Sequence, residues 1–422
     1  MASLIKKIIS TATFKHSAIS LAGTLVNGLF ALGFYILAAR FLGPTSFGLV
    51  TFMIVVTTLL ADLGSLGTDT GIIRFLGKHS KDLDSQKKIM KLSLETKAVV
   101  WVLLFTVGFF IAPFIANVIL SKPEVSPFLR ISLLGVGAVM FFSFVSNALQ
   151  GLQRYSEWSL LNVSSNLFRL LLLVALFLTG LLTSVNISIL YIGAPLLFFI
   201  IGLFLLPNFL GVKGEEKMRG EFFQYNKWIA VLSILATITS RVDLLYITKF
   251  LSVKDLGVYG LASQLVSVIP QIIFAIAASA APKLSGMSSR VEAKAYLRKL
   301  QFLSFGVALV ILFAAPIGFY ILSLFFGKEY SNSFVPFMIL TLANIIFLIS
   351  LPSHQAIFYY FAKPKVFAII NSGNLVLTLI LGLYLVPTFG LVGAAGLSLC
   401  SAIFNLILPA YFVRREFKDV KR

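Results

Sequence analysis

Residues 17–49 read SAISLAGTLVNGLFALGFYILAARFLGPTSFGL, and the first 23 of them carry no charge. A helix crossing a bilayer needs about 20 apolar residues. A signal-peptide core is only about 7–15 residues long. The stretch therefore reads as a first membrane span, preceded by Lys6, Lys7 and Lys15 and closed by Arg40. Similar runs recur along the chain. With edges good to a few residues, the twelve spans are 17–39, 47–73, 97–120, 128–151, 158–181, 187–210, 227–249, 256–281, 301–326, 334–355, 366–386 and 391–413. The runs are continuously apolar, whereas barrel strands alternate over roughly 10 residues.

Composition agrees. The 422 residues are 58% hydrophobic and 12% charged, with a mean hydropathy of +0.96. Soluble domains carry about 25% charged residues, so a soluble enzyme, a disordered tail and a nucleic-acid domain are all excluded. The net charge of +19 is explained by where it lies. With both termini cytoplasmic, 27 Lys and Arg fall on the inner side and 6 on the outer, with Arg169 and Arg241 inside spans. The inner tally counts Lys97 with the 74–97 loop. This positive-inside asymmetry keeps its phase to the last residue, as twelve spans require. The expected location is the plasma or inner membrane, as a multi-pass protein. The basic balance is topogenic, with some attraction to anionic headgroups, and no nucleic-acid partner is implied. Cys400 is alone, and His16, His79 and His354 show no metal-ligand spacing, so neither an intrachain disulfide nor a metal site is expected. Short external segments leave no room for a folded outer domain.

An internal repeat organises the spans. Residues 40–49 (RFLGPTSFGL) are echoed by residues 249–258 (KFLSVKDLGV) at an offset of 209. The same offset pairs Pro127-Phe128 with Pro336-Phe337, Arg154 with Lys363, and Asn162 with Asn371. Six spans per half give both halves the same orientation. The expected fold is an all-α polytopic membrane protein of twelve helices in two six-helix bundles, related by a pseudo-two-fold along the membrane normal. The expected bundles are 1–210 and 227–422, joined by a cytoplasmic linker at 211–226. Such an arrangement places a cavity between the halves, opened to each side by rocking.

Several stretches resemble one family. They are Ala38-Ala39-Arg40-Phe41-Leu42-Gly43-Pro44 with Phe47-Gly48, Asp62-Leu63-Gly64 with Gly67 and Arg74, Arg241-Val242-Asp243 leading to Asp255-Leu256-Gly257-Val258-Tyr259, and the closing Phe389-Gly390-Leu391-Val392-Gly393-Ala394-Ala395. The chain resembles the polysaccharide flippases of the multidrug/oligosaccharidyl-lipid/polysaccharide exporter superfamily, with their MATE-like fold, over essentially its whole length. The resemblance implies movement of an undecaprenyl- or dolichyl-type lipid-linked oligosaccharide from the cytoplasmic to the outer leaflet, as in O-antigen export and cell-surface polysaccharide biosynthesis. Lipid II flippases of the superfamily usually have two further helices. The implied partners are that substrate, membrane lipids and other polysaccharide-assembly proteins; a monomer is the working expectation, and the sequence leaves the oligomeric state open. No cofactor is implied beyond H+ or Na+ coupling.

Ionisable groups inside a bilayer are functional candidates. Arg169 lies 11 residues into span 5. It shares a helix face with Asn162 and Asn166 at i, i+4, i+7 spacing. This stripe either lines a wet cavity, where the guanidinium forks onto a phosphate, or holds a structural Arg paired to a buried Asp. Arg241 and Asp243 point to nearly opposite sides of span 7. Asp243 either binds a coupling ion or neutralises an Arg. Asp62 is the other coupling or counter-charge candidate, and Asp69, seven residues on, falls on the same face of a continuous helix. Arg74 is an interfacial anchor or an entry cation. Arg40 and Lys249 are boundary anchors or an outer gate. Softer polar stripes include Thr24 and Asn27 on span 1, Gln264, Ser267 and Gln271 on span 8, and Asn371 and Asn374 on span 11. These residues either meet sugar hydroxyls or glue helices together.

The favoured function is a flippase working by alternating access. A drug or cation antiporter of the same superfamily is the first alternative. A membrane-embedded glycosyltransferase or polymerase is the second, though the external segments offer only Glu124, Asp255 and Glu329 as acids. There is no P-loop and no catalytic constellation, so an enzyme is not expected.

Overall fold

The structure, a computed structural model, describes residues 12–418, and every regular element in it is helical. The helices are α1 (Ala12–Gly64), α2 (Thr68–Lys78), α3 (Leu83–Phe114), α4 (Ser126–Gly151), α5 (Tyr155–Leu178), α6 (Ser184–Leu205), α7 (Glu216–Thr239), α8 (Val242–Phe250), α9 (Val253–Val266), α10 (Val268–Ser285), α11 (Arg290–Phe326), α12 (Phe334–Gln355) and α13 (Pro364–Lys418). The basic termini, with Lys6, Lys7 and Arg422, lie outside the described residues, and so does the expectation that both are cytoplasmic.

Among the described residues nine helices are long and apolar enough to cross a membrane, or ten if α7 and α8, bent by 46°, form one span. Two of these are too long for a single crossing. Their apolar stretches run for 43 and 54 residues. At 1.5 Å per residue these are about 65 and 80 Å, against a hydrocarbon core of about 30 Å. Each is interrupted by a glycine in the left-handed region. Gly43 has φ 72° and Gly390 has φ 58°, which side chains other than glycine rarely adopt. Counting two crossings for each long helix raises the ten to twelve. The chain is an all-α polytopic membrane protein. Four of the spans read from sequence are joined in pairs, because the two limbs of each long helix meet at a single glycine bend with no loop between them.

The chain forms two compact units, one of residues up to 42 with 49–237, the other of 43–48 with 238–422. The first unit thus takes in 211–226, the stretch expected to be a linker, and ends inside the seventh span. The packing shows why. Phe222 of α7 is fully buried among Ile72, Phe75, Ile89, Phe144 and Leu161. Asn226 lies directly over Gly71, where an added Cβ would sit 2.2 Å from its Oδ1. Gly67 has φ 75° and begins α2 beneath the same helix. Between α1 and α2 the chain turns through Leu66 (φ 47°) and Gly67, so Asp62 and Asp69 are not on one continuous helix face. The Ser65 hydroxyl donates to the Asp62 carbonyl and the Thr68 hydroxyl to the Ser65 carbonyl, which fastens this turn. Asp82 caps α3, and the Ser85 hydroxyl and amide hold its carboxyl below the usual carboxylate range.

In the second unit the repeat becomes a physical contact. A Cβ on Gly48 would lie 1.9 Å from the Val253 carbonyl oxygen, and one on Gly257 would lie 2.0 Å from that of Pro44. Both Gly48/Gly257 and Pro44/Val253 are 209 apart, so the crossing is reciprocal. Backbone meets backbone here, leaving no flexible side chain to give way. Gly257→Ala is therefore expected to destabilise the detergent-solubilised protein by about 1–3 kcal/mol, the range for overpacking. Gly220→Ala is the control, since nothing lies within 4 Å of a Cβ there. Equal unfolding midpoints for the two variants would refute the close crossing.

Candidate functional site

Inside α5, one of the helices long and apolar enough to cross a membrane, the first unit carries a cation without an acidic partner among the described residues. Arg169 is half-buried on α5. Its Nη1 donates to Asn166 Oδ1 at 3.1 Å, and Asn166 Nδ2 donates to Asn27 Oδ1 of α1 at 2.6 Å. The guanidinium carbon lies 4.3 Å from the ring centroid of Tyr191 on α6, a cation–π distance. The Tyr191 hydroxyl is 3.3 Å from that of Tyr35. Arg169 Nε is buried with no partner, and among the described residues no carboxylate pairs with this guanidinium. The alternative of a structural Arg paired to a buried Asp is therefore not what is found.

The local sequence explains the assembly. Gly23 lets α1 press against α5, since an added Cβ would sit 1.9 Å from Ser159 Oγ. That close approach brings Asn27 to Asn166. Amides on two helices then orient the Arg, and a phenol on a third supports it. The arrangement orients a guanidinium whose charge no carboxylate answers among the described residues.

The other expected residues fall into different places. Asn162 donates to Ser146 Oγ at 3.0 Å and to the Trp158 carbonyl at 2.8 Å, so it ties α5 to α4. Thr24 bonds back to the Ser20 carbonyl in its own helix. Asn374 donates to Ser401 Oγ at 2.9 Å, joining the two limbs of α13, while Asn371 is half-buried with no bond of this kind. Gln264 is half-buried and Gln271 exposed. Their stripe is interrupted at Ser267, whose hydroxyl returns to the Gln264 carbonyl. Pro270 follows, and it has no N–H to offer the Val266 carbonyl. Arg40, Lys249, Arg74 and Asp62 are exposed.

Asp243 is 9% exposed on α8. Its Oδ2 accepts from the Tyr259 hydroxyl at 2.6 Å and the Ser398 hydroxyl at 3.2 Å, and its Oδ1 from the Leu244 amide at 2.7 Å. Arg241 precedes α8 and is half-buried, and the two form no ion pair.

Sequence reading missed one buried pair. Lys97 is not a loop residue. Its side chain is 0% exposed, and its Nζ lies 2.9 Å from Asp69 Oδ1. Ser143 and Asn147 of α4 also donate to that oxygen, at 3.1 and 2.7 Å. The reason is the length of α3, which starts at Leu83 and carries Lys97 some 14 residues inward. Tyr191 was missed too. The only trace was a phenol in an apolar run.

Comparisons with known proteins agree with this fold. The model of a family described as "Polysaccharide biosynthesis protein" matches residues 14–288, more than half of the chain. A Shigella flexneri protein described as "Putative O-antigen transporter" is 22% identical over 398 residues, covering 90% of this chain and 93% of its own. The lipid II flippase MurJ, in an inward closed conformation, superposes with a TM-score of 0.77 at 12% identity, covering 94% of this chain and 87% of its own. An inward-facing MATE family multidrug transporter of the MOP superfamily gives 0.72 at 14% identity, covering 96% and 99%.

Proposed function

This chain belongs to the polysaccharide biosynthesis protein family, and on that premise we propose that it moves a lipid-linked oligosaccharide from the cytoplasmic to the outer leaflet by alternating access. It is a multi-pass membrane protein with the fold of the multidrug/oligosaccharidyl-lipid/polysaccharide exporter superfamily. The observation that carries the proposal is Arg169, held by Asn166 and Tyr191 with Nε unpartnered and no acid to neutralise it. A central Arg costs about 2.5–3.5 kcal/mol on insertion scales, and a transient anion offsets that cost only while it is bound. A pyrophosphate-linked headgroup is such an anion, and its sugars meet the amides and hydroxyls of Asn27, Asn166 and Tyr191. The lipid tail stays in the bilayer. The same cation repels positively charged drugs, which disfavours the antiporter reading.

Coupling is assigned to Asp243. Its oxygens are held by neutral donors from Tyr259, Ser398 and the backbone rather than by a cation, which suits a carboxylate that takes up H+ or Na+. The positive-inside pattern supports both termini in the cytoplasm and a plasma or inner membrane location.

The test is reconstitution of the full chain in liposomes with fluorescent polyprenyl-diphosphate oligosaccharides. The expected result is leaflet transfer above protein-free vesicles, accelerated by an H+ or Na+ gradient. Transfer no faster than in empty vesicles for every diphosphate lipid would refute the proposal.

A further inference from the structure

The first unit has a polar cleft away from the Arg169 ladder. Arg74 and Lys78 stand one turn apart on α2. Tyr225 and Trp228 stand three residues apart on α7. With Glu221 and Gln224 they wall a cleft of about 550 Å³, within the roughly 300–1,000 Å³ typical of ligand pockets.

The cleft is built around a seated cation. The Arg74 guanidinium carbon lies 4.1 Å above the centroid of the Tyr225 ring. A cation–π contact at this distance seats the guanidinium on the ring, and no hydrogen bond to protein is found for its N–H groups among the described residues. Arg74 is exposed, and among the described residues it has no acidic partner. The one acid in the cleft, Glu221, answers Lys78 at 3.4 Å, where both side chains are about half exposed (57% and 47%). Such a pair is worth little and yields readily to a stronger anion.

The seating is itself fixed by packing. Gly67 and Gly71 bring α2 against Asn226 and Ile229, so α7 turns Tyr225 under Arg74. Trp228, 68% exposed, continues the aromatic wall outward. Exposed Trp and Tyr rings belong at headgroup level in a membrane protein. The lysines that follow α2, Lys81, Lys87, Lys88 and Lys91, place this end on the cytoplasmic side by the positive-inside rule. A cation with a free fork, an aromatic wall and a position at headgroup depth together describe capture of a phosphate presented by a lipid.

We propose that this cleft is the loading site, where Arg74 forks the phosphate of a lipid-linked headgroup at the cytoplasmic boundary while Tyr225 and Trp228 take the first sugar ring on their faces. This rests on the flippase reading and adds to it a separate site of first contact.

The experiment measures equilibrium binding of a fluorescent polyprenyl-diphosphate oligosaccharide to the full chain in phosphatidylcholine nanodiscs, with leaflet transfer measured in parallel. Arg74→Ala is expected to weaken binding about tenfold or more, since a hydrogen bond to a charged group is lost. Arg74→Lys should recover only part of it, because the fork is gone. Tyr225→Leu should resemble Arg74→Ala, because the guanidinium loses its seat. Phosphatidylglycerol and inorganic pyrophosphate should each compete poorly, the first lacking the diphosphate and sugar, the second the lipid. Wild-type affinity in both Arg74→Ala and Tyr225→Leu, with transfer by the wild type intact, would overturn the loading site and leave the flippase reading standing. Equal competition by phosphatidylglycerol would overturn it as a general anionic-lipid contact, and equal competition by inorganic pyrophosphate as a free-phosphate site. A wild-type protein that neither binds nor moves the diphosphate lipid would instead overturn the flippase reading itself.

Discussion

Arg169→Ala abolishes leaflet transfer while leaving the amount and stability of the protein intact; that is the expected result with the largest functional effect. The guanidinium has no carboxylate partner among the described residues, so its removal leaves no buried counter-charge behind. Only the Asn166 contact at 3.1 Å and the Tyr191 ring contact at 4.3 Å are lost from the resting protein. An uncharged side chain at this depth also escapes the roughly 2.5–3.5 kcal/mol cost of placing Arg in the membrane, so the unfolding midpoint should hold or rise. The substrate complex loses a charge-assisted interaction in a low-dielectric setting. Losses of about 2–5 kcal/mol accompany truncation of one partner in such pairs. Transfer should therefore fall by at least about thirtyfold. Arg169→Lys should recover a fraction, since a point charge replaces a fork. Stable protein with lost transfer identifies a substrate cation, whereas a matching loss of both identifies a packing residue. Unimpaired transfer by Arg169→Ala would remove the assignment.

Asp69→Asn is expected to be the most destabilising single change in the first unit. It strands the Lys97 ammonium, 0% exposed, without its carboxylate. Breaking a buried pair from one side costs about 3–5 kcal/mol. Lys97→Met should cost less, because Asp69 is 34% exposed and keeps the Ser143 and Asn147 donors. The double variant Asp69→Asn with Lys97→Met should regain much of the loss, since an uncharged pair of similar volume is often neutral or better. A double-mutant cycle on unfolding midpoints in detergent measures this. Additive losses would mean that the two groups do not act as a pair.

The two predictions differ in how legible their residues were. Arg169 announced itself, because a charge deep in an apolar run is visible without any partner being known. Its i, i+4, i+7 neighbours Asn162 and Asn166 were equally visible, yet the structure separates them. Asn166 supports the Arg, while Asn162 is used up by Ser146 and Trp158. Helical spacing says which residues share a face, not which neighbouring helix that face meets. Lys97 was misplaced for a related reason. Hydropathy marks where an apolar run starts, whereas α3 begins at Leu83, well before its run, and carries the lysine inward. The stripe on span 8 was lost to Pro270, whose missing N–H interrupts the helix its neighbours were assumed to share.

The linear chain by itself determined the all-helical, multi-span membrane class and the 209-residue repeat, because run length and periodicity are properties of neighbouring residues. The repeat extended even to the reciprocal contact of Gly48 with Val253 and Gly257 with Pro44. Tertiary structure alone decided that Tyr191 lies under Arg169, that Tyr225 lies under Arg74, that Lys97 meets Asp69, and that α7 joins the first unit through Phe222 and Asn226. Each of these joins residues at least 22 positions apart. The rotation of one packed helix against another sets such pairings, and that rotation follows from where glycines admit close approach.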